Sequence, residues 1–154
     1  MTLLACLMLE RVSPQQRFSI WPLHLTIVPW FEIGGNSLSE FITQLEALVA
    51  SFSPIRLATG DTAYFGPNRV KVTLIVPSQE LSILHKKLFS IICENGGRLL
   101  KDNHIPNDFQ PHVTNRGARG PSRKEITCRQ MQIVAKIADS NERQIVQKLN
   151  FAKA

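Results

Sequence analysis

Two short segments far apart in the chain carry the same pair of polar residues, His24-x-Thr26 and His112-x-Thr114. Each pair is embedded in apolar, β-favouring residues, and alternation along a strand would place each histidine and its threonine on one face. Two imidazoles can serve as general base and general acid at one pH, and threonine hydroxyls can donate hydrogen bonds to developing negative charge. The repeated pattern therefore predicts one shared catalytic site.

Other interpretations of the same residues stay open. Each histidine could be a core residue hydrogen-bonded to its threonine, although the doubled pattern weighs against this interpretation. The two histidines could instead bind a metal together with Asp102, Asp108 or Glu32, but these carboxylates show no clustered ligand spacing. A third interpretation is a module that binds RNA ends or a nucleotide without turning it over, for which a basic chain is equally suited.

The length and composition of the chain limit its class. At 154 residues it is long enough to bury a core, and we expect one domain over residues 1–154. Its 44% hydrophobic and 19% charged residues are typical of a soluble globular protein. The 18 lysines and arginines against 12 acidic residues favour anionic partners such as phosphate or nucleic acid, although this charge equally serves solubility.

The cysteines and the apolar start of the chain indicate its compartment. Cys6, Cys93 and Cys128 are odd in number and form no C-x-x-C pair, which argues against a disulfide framework and a structural zinc site. We therefore expect reduced, mostly buried thiols in a cytoplasmic protein. The run Leu3–Leu9 lacks the basic start and cleavage site of a signal peptide, so we predict a buried strand. No stretch approaches the roughly 20 apolar residues of a membrane span, so we predict no membrane partner.

The first half of the chain is predicted to hold strands around one helix. An extended segment over residues 18–31 carries the first motif. Ser37 followed by Glu40 has the form of a capping box, so a helix is predicted to begin there and to end before Pro54. Short extended segments follow at Ile55–Ala58 and Ala63–Phe65, with a turn between them. The helix has apolar residues at steps of three and four: Leu38, Phe41, Ile42, Leu45, Leu48, Val49 and Phe52.

The second half of the chain repeats this plan. A strand is predicted over residues 70–76, and a helix from Ser78 to the stop at Gly96-Gly97, with His85 partly covered beside its apolar stripe. A polar loop over residues 101–110, with His104 in solvent, leads to the strand of the second motif. A basic loop over residues 116–124 follows, and then a hairpin over residues 131–151, whose last segment also fits a short helix. This order of elements predicts an α+β fold.

The two motifs resemble those of a known family. The strings His24-Leu25-Thr26-Ile27 and Pro111-His112-Val113-Thr114, with helices between them, resemble the paired motifs of the 2H phosphoesterase superfamily, which includes bacterial 2′-5′ RNA ligases. The segment 131–140 is similar to the family's strand after the second motif, so the resemblance covers nearly the whole chain. It implies a bilobed, pseudo-symmetric LigT-like fold with antiparallel sheets around a central groove and two long outer helices.

The resemblance also implies an activity. It implies a phosphodiesterase, without metal or cofactor, that acts on 2′,3′-cyclic phosphates of RNA or nucleotides or on 2′-5′ linkages. His24, Thr26, His112 and Thr114 would be catalytic, and the sequence does not assign acid and base between the histidines. RNA or a nucleotide would be the partner, and we expect a monomer.

The resemblance provides no short motif for the groups that hold the rest of the substrate. Aromatic and basic side chains along the groove would hold a base and further phosphates, and we name Arg116, Tyr64, Phe65 and Trp30 as candidates. The second motif departs from the family at Asn115, where a hydrophobic residue commonly follows. On alternation Asn115 points away from the groove, so this departure indicates the end of the strand rather than damage to the site.

Overall fold

The computed structural model describes residues 1–101 and 109–153. Two helices and ten strands form in this part of the chain, with a 3₁₀ turn at Gly35–Ser37 before the first helix. Their bounds are β1 Thr2–Met8, β2 Arg17–Phe18, β3 His24–Glu32, α1 Leu38–Ala50, β4 Ile55–Phe65, β5 Val70–Ile75, α2 Gln79–Glu94, β6 Arg98–Leu99, β7 His112–Thr114, β8 Glu125–Cys128, β9 Gln130–Lys136 and β10 Arg143–Asn150.

The strands form one continuous antiparallel sheet in the order β2-β10-β9-β1-β3-β7-β5-β4-β8, with β6 paired to β3. The predicted α+β class and the antiparallel pairing are confirmed. The two strands that carry the motifs, β3 and β7, are neighbours near the middle of this order, and Leu25 pairs with Val113 across them. A sheet built from two halves of the chain therefore brings the two motifs side by side.

The two faces of the sheet are covered differently. On the face that we call the helix face, α1 and α2 pack on a core that includes Leu25 and Val113, both fully buried. The other face, which carries the histidines and threonines of the two motifs, is called the motif face below. Part of it is covered by a smaller cluster that includes Cys6, Phe18 and Trp21. Because β1 lies between the two clusters, nearly all of its residues are apolar and buried.

The two helices confirm the predicted apolar stripes, but only one has the predicted cap. In α2 the Ser78 hydroxyl accepts a hydrogen bond from the backbone N–H of Leu81 at 3.2 Å, and Gly96 adopts φ +72° after the helix. The capping box predicted at the start of α1 is wrong. Ser37 closes a 3₁₀ turn with φ −99° and ψ −6°, which is not the extended conformation that a capping side chain needs, and it forms no cap hydrogen bond.

Several predicted boundaries are also wrong. The turn expected at residues 59–61 is a register shift within one strand, β4, which continues from Ile55 to Phe65. The extended segment 18–31 is divided, because β2 ends at Phe18 and β3 begins only at His24. The strand β8 had not been predicted, and the ambiguous last segment is the strand β10. The predictions for Asp102, His104 and Asp108 lie outside the described residues.

The cysteines confirm the predicted thiols: Cys6 and Cys128 are buried, Cys93 is exposed, and all three are free. Burial raises the pKa of Cys128 to about 11, so this thiol stays protonated at neutral pH. Neither of the helices in the described residues is long and apolar enough to cross a membrane.

Candidate functional site

The four motif side chains lie together on the motif face. Leu25 of β3 pairs with Val113 of β7, and this antiparallel register places His24 opposite Thr114 and Thr26 opposite His112. Directly opposed residues have Cβ atoms about 4.5–5.5 Å apart, and the two histidines, as diagonal neighbours, are roughly 7–8 Å apart. All four side chains are half-buried. The predicted shared site is thus a patch of two imidazoles and two hydroxyls on adjacent strands.

The two histidines make the same backbone contact. The Nδ1 of His24 lies 2.8 Å from the carbonyl oxygen of Pro22, and the Nδ1 of His112 lies 2.8 Å from the carbonyl oxygen of Gln110. A carbonyl oxygen only accepts, so each Nδ1–H donates and fixes the tautomer. In the neutral form of each ring, Nε2 then carries the lone pair and is the atom available for proton transfer.

The surroundings of His24 favour its neutral form. The indole ring of Trp21 lies 4.5 Å from the imidazole at an interplanar angle of 32°. Burial, followed by the charges of Arg116 and His112, lowers the pKa of His24 to about 4, and the carbonyl of Pro22 opposes this shift only in part. His24 is therefore uncharged at pH 7 and able to accept a proton. The sequence prediction did not include Trp21, which stands three residues before the histidine.

The surroundings of His112 are more open. The ring of Phe65 meets the imidazole edge-on, with centroids 4.8 Å apart. A cavity of about 350 Å³ lies beside the two side chains, and it is also lined by Thr26, His85 and Phe109. The predicted residue Phe65 thus lies at the site, and the cavity provides an apolar surface next to the second histidine.

A third histidine reaches this cavity from α2. His85 is 6% exposed, donates from Nδ1 to the carbonyl of Ile27 at 2.7 Å, and stacks on Phe109 with ring centroids 4.3 Å apart. In the described part of the chain β3 pairs with β7 at Leu25, so the Ile27 carbonyl lies beyond this pair and accepts from His85 of the helix. The sequence placed His85 beside an apolar helix stripe, which gave no sign that it would line the candidate site.

A basic turn is tied to the first motif strand. Arg116 and Arg119 exchange backbone hydrogen bonds of 2.8 and 2.9 Å, and the guanidinium of Arg119 pairs with the carboxylate of Glu10. The same Glu10 carboxylate accepts from the backbone N–H of Leu23 at 2.8 Å, directly before His24. These contacts hold the turn after the second motif against the strand that begins with the first.

Arg116 carries a polar group that the described residues leave without a partner. Its Nε is buried and forms no hydrogen bond within the described part of the chain. Burial, followed by the charge of Arg119, lowers the pKa of Arg116. A buried guanidinium nitrogen close to His24 is suited to bind an anion, because a hydrogen bond to a charged oxygen would offset the cost of its burial.

The other predicted substrate residues lie further out. Trp30 is half-buried on the motif face, where Lys136 and Arg143 approach its ring to 4.9 and 5.3 Å. Tyr64 is 55% exposed, carries the guanidinium of Arg69 over its ring, and is absent from the lining of the cavity beside His112. Alternation places Tyr64 on the opposite face of β4 from Phe65.

The alternative of a metal site has limited support in the structure. Among residues 1–101 and 109–153, no group of three or more histidine, cysteine or acidic residues could hold a metal ion. Glu32, one of the carboxylates considered, lies at the far end of β3 from His24 and pairs with Arg98 at 3.4 Å. Glu32 therefore cannot complete a ligand set with the two motif histidines.

Solved structures share this architecture. A phosphoesterase crystal structure matches with a TM-score of 0.66 and 16% identity, and E. coli LigT in complex with 3′-AMP matches with a TM-score of 0.66 and 15% identity, each over 97% of both chains. A protein of Thermus thermophilus matches with a TM-score of 0.65 and 18% identity, again over 97% of both chains. At this level of identity the matches show the fold, which is LigT-like.

The sequence comparisons then give the family. The model of the 2′-5′ RNA ligase superfamily matches residues 9–143, and the chain belongs to this superfamily of 2H phosphoesterases. A candidate phosphoesterase of Bacillus licheniformis is 30% identical over 106 residues, and one of Oceanobacillus iheyensis is 29% identical over 106 residues. Each alignment covers 68% of this chain, and the chain spans 57% and 56% of the length of these two relatives.

Proposed function

We propose that the protein is a metal-independent phosphodiesterase that opens 2′,3′-cyclic phosphates of RNA or nucleotides, or cleaves 2′-5′ linkages. The observation that carries this proposal is the matched pair of imidazoles on one face of the sheet. Each ring is oriented by the same Nδ1 contact to a backbone carbonyl, which leaves Nε2 for chemistry. Two such groups are what a displacement at phosphorus needs, with one proton removed and one supplied.

The different surroundings of the two rings suggest how they divide the work. His24 is neutral at pH 7, so we assign it as the base that takes a proton from water. The water oxygen then bonds to phosphorus, and the bond from phosphorus to one ribose oxygen breaks. His112, in the more open environment, gives a proton to that ribose oxygen. In the ligation direction the two roles exchange, because each step is reversed.

The phosphate oxygens need donors of their own. Thr26 and Thr114 each lie opposite a histidine, where their hydroxyls can donate to the non-bridging oxygens as negative charge develops. Arg116 offers its buried Nε to the same anion. Removing one such donor typically costs roughly 3 kcal/mol of transition-state stabilisation, so these side chains are expected to matter almost as much as the histidines.

The comparisons support a nucleotide as at least part of the substrate. E. coli LigT structures were solved in complex with 3′-AMP, with ATP and with NADP⁺. In this chain the cavity beside His112 offers Phe65 and Phe109 as apolar walls, which suit the flat face of a base. Since one chain supplies both motifs, we also propose that residues 1–154 act as a single-domain monomer.

Turnover of a nucleoside 2′,3′-cyclic phosphate in the presence of EDTA tests the proposal. We expect wild-type protein to hydrolyse it, and His24→Ala and His112→Ala to lose turnover while their thermal unfolding stays close to wild type. Binding without turnover in the wild type would instead favour a module that grips RNA ends. A requirement for added zinc would contradict the metal-independent mechanism.

A further inference from the structure

A second cavity lies where β1 ends and β9 begins. Its volume is about 750 Å³, and the described residues that line it include none of those that line the cavity beside His112. It is bounded by the connection that follows β1, by residues 127–130 and by the end of the chain after β10. The site proposed for catalysis therefore makes no use of it.

Positive charge gathers around this second cavity. Arg11, Arg129, Lys148 and Lys153 line it, and the acidic residue among its described lining is Glu10. The carboxylate of Glu10 is already engaged, because it pairs with Arg119 and accepts from the backbone N–H of Leu23. The cavity thus holds four cations whose charge has little compensation, and a concave surface of one sign concentrates counter-ions.

A buried amide also lines the cavity. Gln132 is 4% exposed, and its Oε1 accepts from the backbone N–H of Met8 at 2.9 Å. The Nε2 of the same amide carries two N–H donors, and Gln132 is one of the residues that line the cavity. Lys148 pairs with Gln132 across β9 and β10, and its amine donates to the carbonyl of Val12 at 2.9 Å, with further donors to spare.

We propose that this cavity is an anion site for a ligand that carries at least two phosphate groups. The Nε2 of Gln132 and the amine of Lys148 supply fixed donors at its wall, and Arg11, Arg129 and Lys153 supply charge around its opening. Its volume exceeds what one phosphate fills, and the cations come from three separate segments of the chain. The phosphates of an oligonucleotide and of a free polyphosphate share this chemistry.

Binding of two probes tests the proposal without any turnover. Inorganic tripolyphosphate is titrated by calorimetry, and a fluorescein-labelled oligodeoxythymidylate, which lacks the 2′-hydroxyl, is titrated by fluorescence anisotropy. The double variant Arg11→Gln/Arg129→Gln is compared with Arg56→Gln/Lys87→Gln, which removes the same charge from exposed positions outside the cavity. Gln132→Glu keeps the acceptor for Met8 and replaces the amide donor with a carboxyl group.

We expect the cavity double variant to bind at least one probe roughly fivefold to tenfold more weakly, and the slope of log K against log salt to fall by about 0.7 for each oligonucleotide phosphate lost. The control pair should stay within twofold of wild type, and Gln132→Glu should weaken binding as well. Loss for the oligonucleotide alone identifies a strand as the ligand, and loss for tripolyphosphate alone identifies a free polyphosphate.

Two results would overturn the proposal. One is wild-type protein that binds neither probe, and the other is a cavity variant that binds no more weakly than the control pair. Neither result depends on hydrolysis of a cyclic phosphate, so the anion site and the proposed activity can fail separately.

Discussion

His24 and His112 share their backbone contacts but differ in what covers them. Both rings donate from Nδ1 to the carbonyl two residues earlier, as their identical positions at the starts of β3 and β7 require. The indole of Trp21 lies against the first ring, on which the charge of Arg116 also acts, whereas the second ring meets the edge of Phe65 and a cavity. Repetition in the backbone thus makes the rings alike in tautomer, and packing makes their surroundings differ.

The largest expected effect is the loss of either histidine. His24→Ala and His112→Ala should each lower kcat/KM for a cyclic phosphate by about 10²–10⁴, since each removes one proton-transfer group. A second substrate, bis(p-nitrophenyl) phosphate, separates the roles of the two histidines, because its leaving group is stable as an anion and needs no acid. On that substrate His112→Ala should recover most of its loss and His24→Ala should not. Equal losses on both substrates would contradict the assignment of base and acid.

The next effect is expected from the threonines. Thr26→Val and Thr114→Val keep the shape of the side chain and remove the hydroxyl, so kcat should fall by about 10²–10³ with little change in KM. Thr43→Val is the matched control, because Thr43 lies exposed on α1 and donates to the carbonyl of Ser39. Unchanged kcat in the two motif variants would show that the hydroxyls do not bind the reacting phosphate.

A smaller loss is expected from Arg116. Arg116→Gln removes a charged donor to the phosphate, which should lower kcat/KM roughly 10- to 100-fold. Because the charge of Arg116 lowers the pKa of His24, the substitution should also raise that pKa, measured from the NMR shifts of the ring protons over a pH titration. Arg98→Gln, in β6 beside the far end of β3, should change neither quantity. An unchanged pKa of His24 in Arg116→Gln would show that the guanidinium does not lie close enough to His24 to affect its charge.

The smallest effect at neutral pH is expected from Trp21. Trp21→Ala should expose His24 and raise its pKa from about 4 towards its ordinary value, which moves the acid limb of kcat/KM to higher pH. Activity at pH 8 should change little, since His24 is neutral there in both proteins. An acid limb at the same pH in both proteins would show that burial beneath the indole does not control the base.

Stability gives an independent measure of the same pKa. The pKa of folded His24 lies below that of an unfolded histidine, so between about pH 6.5 and 4 the unfolded chain binds a proton that the folded chain does not. The contribution of His24 to the free energy of unfolding is therefore fully present above about pH 6.5 and is lost as the pH falls from about 6.5 to about 4. In Trp21→Ala the pKa of folded His24 should rise, so the pH range over which the free energy of unfolding falls should become narrower. Denaturant unfolding at a series of pH values would measure this range.

Local signals predicted the elements well where they agreed with packing. Ser78 and Gly96 mark the ends of α2 because a cap and a left-handed stop depend on neighbouring residues alone. Ser37 also matches the sequence pattern of a helix cap. The preceding 3₁₀ turn gives it a non-extended backbone conformation, however, and its hydroxyl forms no cap hydrogen bond. The strand β8 has little apolar periodicity and forms because it pairs with β4 along Ile55 to Ala58.

The candidate site, too, was predicted in part from local sequence and decided in part by tertiary packing. The sequence alone determined that His24 and Thr26 share one face of a strand, and that His112 and Thr114 do too, because alternation is a property of any extended backbone. The family followed from the doubled motif. Only the tertiary structure decided that β3 and β7 are neighbours, since their register depends on the common core beneath the sheet. It also placed Trp21 against one histidine and His85 beside the other, by packing contacts that no local spacing encodes.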